Sequence, residues 1–142
     1  MNPEEMVQRT KLFALGIIQL VESLPKGRTS EVLGRQLLRS GTSIGSNYRS
    51  ACRSRSIADF ISKMGIVEEE SDESLYWMEL LIEAGIEVNT KMKALTREAG
   101  ELLAIAVASI KTAKKSKNLP RRGNNRGQIS ALNPQSEIRI PK

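Results

Sequence analysis

The sequence predicts an all-α protein: an antiparallel up-down-up-down four-helix bundle over residues 1–116, followed by a disordered basic tail over residues 117–142. Three observations predict it. Apolar residues recur at three- and four-residue steps in four segments of about 20 to 28 residues. Capping and breaking residues punctuate the joints between them. No segment sustains the two-residue alternation of a strand, and only five of 142 residues are aromatic, which argues against sheets.

The first helix is expected over residues 3–24. Asn2 is placed to cap it, Pro3 suits its first turn, and Glu4 and Glu5 suit the positive end of its dipole. Met6, Phe13, Ile17, Leu20, Val21 and Leu24 form its apolar stripe until Pro25 and Gly27 break the pattern. Thr29 or Ser30 is expected to cap the second helix, whose stripe is Leu33, Leu37, Ile44, Tyr48 and Ala51. Ser56 with Asp59 makes a capping-box-like start for the third. Its inner face collects Phe60, Met64, Val67, Ser71, Leu75, Met78 and Ile82, and Gly85 is placed to end it in a left-handed conformation. Asn89 or Thr90 caps the fourth, with Met92, Leu95, Ala99, Leu102, Leu103, Ala106, Ile110 and Ala113 as its stripe.

Composition narrows the chemistry. Histidine is absent, which removes the commonest general base, the commonest nitrogen metal ligand and every Ser-His or Cys-His nucleophile pair. A bundle holding two metals wants Glu-x-x-His pairs, so no metal, cofactor or catalytic residue is expected. Cys52 is the only cysteine and cannot form an intramolecular bridge, and nothing at the amino end reads as a secretory signal. A soluble protein of the reducing cytoplasm is expected. The longest strongly apolar run, Leu102 to Ile110, is too short for the roughly 20 residues that span a bilayer.

The formal charge of +6 is unevenly placed: residues 111–142 carry nine basic groups against Glu137 alone, while residues 1–110 hold 13 basic and 15 acidic groups. The stretch "GTSIGSNYRSACRSR", residues 41–55, carries the second basic signal. It lacks the lysine and hydroxyl pair of a phosphate-binding loop and follows no predicted strand. Wound as a helix at about 100° per residue, with Arg35 at zero, it places Arg39 near 40°, Arg49 near 320° and Arg53 near 0°. Thr42 and Ser46 fall in the same stripe, the apolar groups on the opposite side, and Arg55 in the joint beyond. Gly34, Gly41 and Gly45 share a flank with Cys52 and cost about 1 kcal/mol each relative to alanine, so a close helix contact is expected there.

The arginine stripe has two readings. It is a solvated face, or a set of ion pairs with the acidic run "EEESDE" of the third helix. Or it grips a nucleic-acid backbone, Arg35, Arg39, Arg49, Arg53 and Arg55 with Thr42 and Ser46 contacting phosphates, joined by Lys114, Lys115, Lys117, Arg121, Arg122 and Arg126 of the basic carboxyl end. Glu68 and Asp72 flank the third helix's apolar face and could hold subunits together through opposite charge, with Gly41, Gly45, Tyr48 and Trp77 as further subunit-contact residues. The competing reading is a structural interaction module with no nucleic-acid role.

The phrase "RSGTSIGSNYRSA", followed after a short joint by an acidic helix ending in "LYWMELL", resembles the bacterial four-helix-bundle family named for proteins encoded in intervening sequences of large-subunit rRNA genes. The likeness spans residues 6–113, and the basic tail lies outside it. The resemblance implies an antiparallel bundle, of a family with no established enzymatic activity, whose subunits assemble into a ring, a homopentamer. A related branch, the accessory variability determinant proteins of diversity-generating retroelements, forms basic pentameric barrels that bind RNA or DNA and a reverse transcriptase. The resemblance therefore implies self-association, nucleic acid and a reverse transcriptase as partners, with no membrane.

Overall fold

In a computed structural model the described residues, 2–87 and 89–118, form four helices: α1 (Pro3–Ser23), α2 (Arg28–Ala51), α3 (Ile57–Glu83) and α4 (Thr90–Lys117). The expected disorder of the tail, and its Arg121, Arg122 and Arg126, lie outside the described residues.

Local chemistry explains most of the boundaries. The Asn2 side chain accepts from the Glu5 N–H at 2.9 Å. Leu24 turns extended, as the proline after it requires. Ser56 accepts from the Asp59 N–H at 3.0 Å, and Asn89, not Thr90, caps α4 by accepting from Met92 N–H at 2.8 Å. Gly85 adopts φ 73°, its N–H bonding Ile82 O and the Ile86 N–H bonding Leu81 O, both at 3.0 Å. This pair of bonds is the Schellman closure, which needs a residue free of Cβ strain at Gly85. One expectation fails: neither Thr29 nor Ser30 caps α2, which starts from Gly27 without a side-chain cap. Arg28 and Thr29 are exposed, so water can satisfy the first N–H groups, while Ser30 turns into the protein.

Side-chain register fixes the topology. Positions 34, 41 and 45 of α2 lie against Val21 and Leu24, Ile17, and Thr10 of α1 respectively, so the two run antiparallel. The Ser40 and Ser74 hydroxyls meet at 2.9 Å between α2 and α3, and Thr96 reaches the Met78 sulfur at 3.7 Å between α4 and α3. Arg9 pairs with Glu98 and Glu101, and Lys91 with Gln19, closing α4 antiparallel onto α1. Each helix thus packs against its sequence neighbours, and α4 returns to α1.

The core is assembled from flexible and small side chains. Met6, Met64, Met78 and Met92 are fully buried, with Phe13, Phe60 and Tyr48 as its large aromatics. The expected stripes need rotation in two helices. In α3, Ser74 and Leu81 are buried where Leu75 and Ile82 were expected, and those two are half-buried. In α4, Ile105 and Ser109 take the inward positions and Leu103 and Ile110 lie at the margin. The buried hydroxyls bond their own helices: Ser71 reaches Val67 O at 2.7 Å, Ser74 reaches Glu70 O at 2.8 Å, and Thr10 reaches Met6 O at 3.0 Å. A serine can therefore occupy the interior without an orphaned donor.

Candidate nucleic-acid interface

Continuous winding of α2 places Arg35, Arg39 and Arg49 on its exposed outer face beside Thr42 and Ser46, and Arg53 in the turn beyond Ala51. Arg55 sits in the joint before α3, where its backbone N–H donates to Asp59 at 3.3 Å. That N–H is the main cause holding the Asp59 carboxyl below its ordinary range, followed by Lys63 at 3.2 Å.

These groups are not equivalent. Arg35 pairs with Glu31 one turn earlier at 3.0 Å, both largely exposed, a contact worth only a few tenths of a kcal/mol. Arg39 crosses to α3, where it contacts both oxygens of Glu70 at 3.3 Å and also Glu73. Glu73 in turn accepts from the Trp77 indole at 3.3 Å. Arg39 is thus engaged within one chain. Thr42 donates to Leu38 O at 2.6 Å and Ser46 to Ser43 O at 3.0 Å, so both hydroxyl hydrogens serve their own helix and leave only acceptor lone pairs outward.

Arg39, and to a smaller degree Trp77, hold the Glu73 carboxyl below the ordinary glutamate range. A depressed carboxyl contributes stability that is present above its unfolded value and lost as pH falls through its folded value. Glu73→Gln should therefore be less stable than the parent near neutrality. Its urea midpoint should also fall less steeply than the parent's between about pH 5 and pH 3; parallel acid limbs would show that the carboxylate is not coupled to folding.

The residues expected at a subunit contact separate into two groups. Gly41 and Tyr48 are buried within the chain itself, and Gly45 packs on Thr10, so the glycine flank is the α1–α2 seam. Glu68 and Trp77 are half-buried and Asp72 is exposed, with Trp77 stacked at a tilt against Tyr76, ring centroids 5.2 Å apart. Cys52 is half-buried, and burial pushes its thiol up from its ordinary value against the opposing hydrogen bond from Tyr48, the reverse of an activated nucleophile.

Two features were missed in the sequence. Leu12, Leu15 and Ile18 are exposed at 66%, 47% and 41% along the outside of α1. Chain direction also brings the carboxyl ends of α2 and α4 and the amino ends of α1 and α3 to the same end of the bundle. Arg49, Arg53, Arg55, Lys111, Lys114, Lys115 and Lys117 gather there, all exposed. Among the described residues none of these seven side chains reaches a carboxylate at ion-pair distance. Their acidic company is Glu4, Glu5 and Asp59, the last already held by Lys63. At the opposite end Lys26, Arg28, Arg35, Lys91 and Lys93 are matched by Glu22, Glu31, Glu79, Glu83 and Glu87.

A model of the 23S rRNA-intervening sequence protein family matches residues 4–108, which takes in α1, α2, α3 and most of α4. The chain belongs to that family. The chain is also similar to a solved structure from Bacteroides thetaiotaomicron, a protein of unknown function from the S23 ribosomal protein family. The two are 34% identical with a TM-score of 0.69, over 74% of this chain and 97% of that one. No curated protein matches. The span matched by the family model ends before Lys111, so the lysines closing α4 lie beyond the family pattern. No helix among the described residues is long and apolar enough to cross a membrane.

Proposed function

We propose that this protein is a noncatalytic, cytoplasmic, self-associating scaffold that grips nucleic-acid backbones through exposed cations. The observation that carries the reading is the gathering of seven cations at one end of the bundle, outnumbering Glu4, Glu5 and Asp59 there and, among the described residues, none of them at ion-pair distance from a carboxylate. Guanidinium and ammonium groups so placed suit phosphate contacts that position a nucleic acid without reading its bases. The family name, which points to rRNA genes, favours nucleic acid as the setting. In the retroelement branch the same grip would present nucleic acid to a reverse transcriptase. Binding of a labelled nucleic acid should fall steeply with salt, and Arg49→Glu should weaken it alike for unrelated sequences. Salt-insensitive binding, or none at low salt, would remove this reading.

Self-association is supported by the outer face of α1. Leu12, Leu15 and Ile18 follow one another at three-residue steps among Gln8, Lys11, Gln19 and Glu22, a seam with one charge of each sign that a second copy can match. A ring, pentameric as the resemblance implies, would cover it. Leu15→Glu should lower the mass found by light scattering while leaving the helical circular dichroism unchanged. An unaltered mass would place the assembly surface elsewhere and favour the purely structural pairing of α3 acids with α2 arginines.

A further inference from the structure

We infer that the basic end of the bundle binds the double helix in preference to a single strand. The inference rests on the nucleic-acid reading above and names its substrate class.

The placement of the cations is the first argument. Lysines in the last turns of α4 complement the negative end of that helix's dipole, which by itself would explain them. Arg49 and Arg53 stand likewise at the negative end of α2. Arg55 has no such explanation: it directly precedes the N-cap of α3, at the positive end of that dipole, where a cation is unfavourable and an anion is welcome. A polyanion reaching this end would meet the free N–H groups opening α3 and both cation groups together.

Geometry and composition select the form of the polyanion. Arg49 and Arg53 close α2 and the lysines close α4, and these two helices lie across the bundle diagonal because each packs instead on α1 and α3. Neighbouring helix axes about 8–10 Å apart put diagonal ones roughly 11–14 Å apart, close to the ~12 Å width of a B-form major groove. Cations at that separation can touch phosphates on two strands at once. A single strand has no second row of phosphates and is held instead by aromatic platforms on which its bases stack. The basic end has none among the described residues: Tyr48, Phe13 and Phe60 are buried, and the exposed Tyr76 lies near the far end of α3. A blunt helix end also cannot lie lengthwise in a groove, so contact stays with the backbone.

The test uses the full chain with three fluorescent probes of one sequence, about 20 units long: duplex RNA, duplex DNA and single strand. At about 0.1 M salt the better-bound duplex should bind at least roughly tenfold tighter than the strand. Arg53→Glu with Lys115→Glu should weaken duplex binding at least about tenfold and reduce its salt slope by about two, while Lys93→Glu at the opposite end stays within about twofold. Circular dichroism confirms that each variant remains folded. A preference for one duplex over the other supports the inference and assigns its source. A single strand that matches the duplexes, or an end reversal no more harmful than Lys93→Glu, overturns it while leaving general nucleic-acid binding intact. Failure of all three probes to bind at low salt removes both readings.

Discussion

Gly41→Val is expected to cost about 3 kcal/mol and to lower the melting temperature by roughly 12 °C. A Cβ added at position 41 would lie 2.9 Å from Cγ1, 3.0 Å from Cγ2 and 3.2 Å from Cβ of Ile17. Ile17 is fully buried and β-branched, so it has no flexible end to swing away. Valine adds two more methyl carbons to that clash, which far outweighs its helix-propensity gain over glycine of a few tenths of a kcal/mol. Gly100 makes the comparison internal to the protein, because a Cβ there meets nothing within 4 Å. Gly100→Ala should instead stabilise by about 0.5–1 kcal/mol. A Gly41→Val variant that melts with the parent would mean that α1 and α2 are not packed as described.

Phe60→Ala should be costlier still, about 3–5 kcal/mol. The ring is 2% exposed in the first turn of α3, and a chain with only two phenylalanines has few large groups able to fill the space it would vacate. The urea midpoint should drop with an unchanged slope, because the loss is of packing and not of compactness. Phe60→Leu, which leaves a smaller void, should recover more than half of the difference. A stability loss below about 1 kcal/mol would indicate that neighbours collapse into the site or that it is solvent-filled.

The bundle was legible in the sequence because its signals are local. Asn2, Ser56 and Asn89 cap from one residue to another three positions on, and Gly85 announces its own backbone conformation. What failed depended on partners remote in sequence. Ser74 reads as polar until Ser40 is placed beside it, and Leu75 and Ile82 read as core until α4 fixes the rotation of α3. Ser30 looks like a cap until burial claims it. The site follows the same division. A helical projection finds the arginine stripe, but it cannot show that Arg39 spends its charge on Glu70 and Glu73 across the seam. Nor can it show that chain reversal carries Lys111–Lys117 to the same end as Arg53 and Arg55, which lie more than fifty residues earlier.

The four thioethers enclosed by the bundle give it a built-in chemical reporter. Conversion of Met6, Met64, Met78 or Met92 to the sulfoxide needs peroxide to reach sulfur atoms that the closed molecule hides, one on α1, two on α3 and one on α4. Oxidation followed residue by residue would therefore report whether the shared core opens at once or in parts. Each completed event would leave a polar group that hinders reclosure, making oxidative injury self-propagating once it begins.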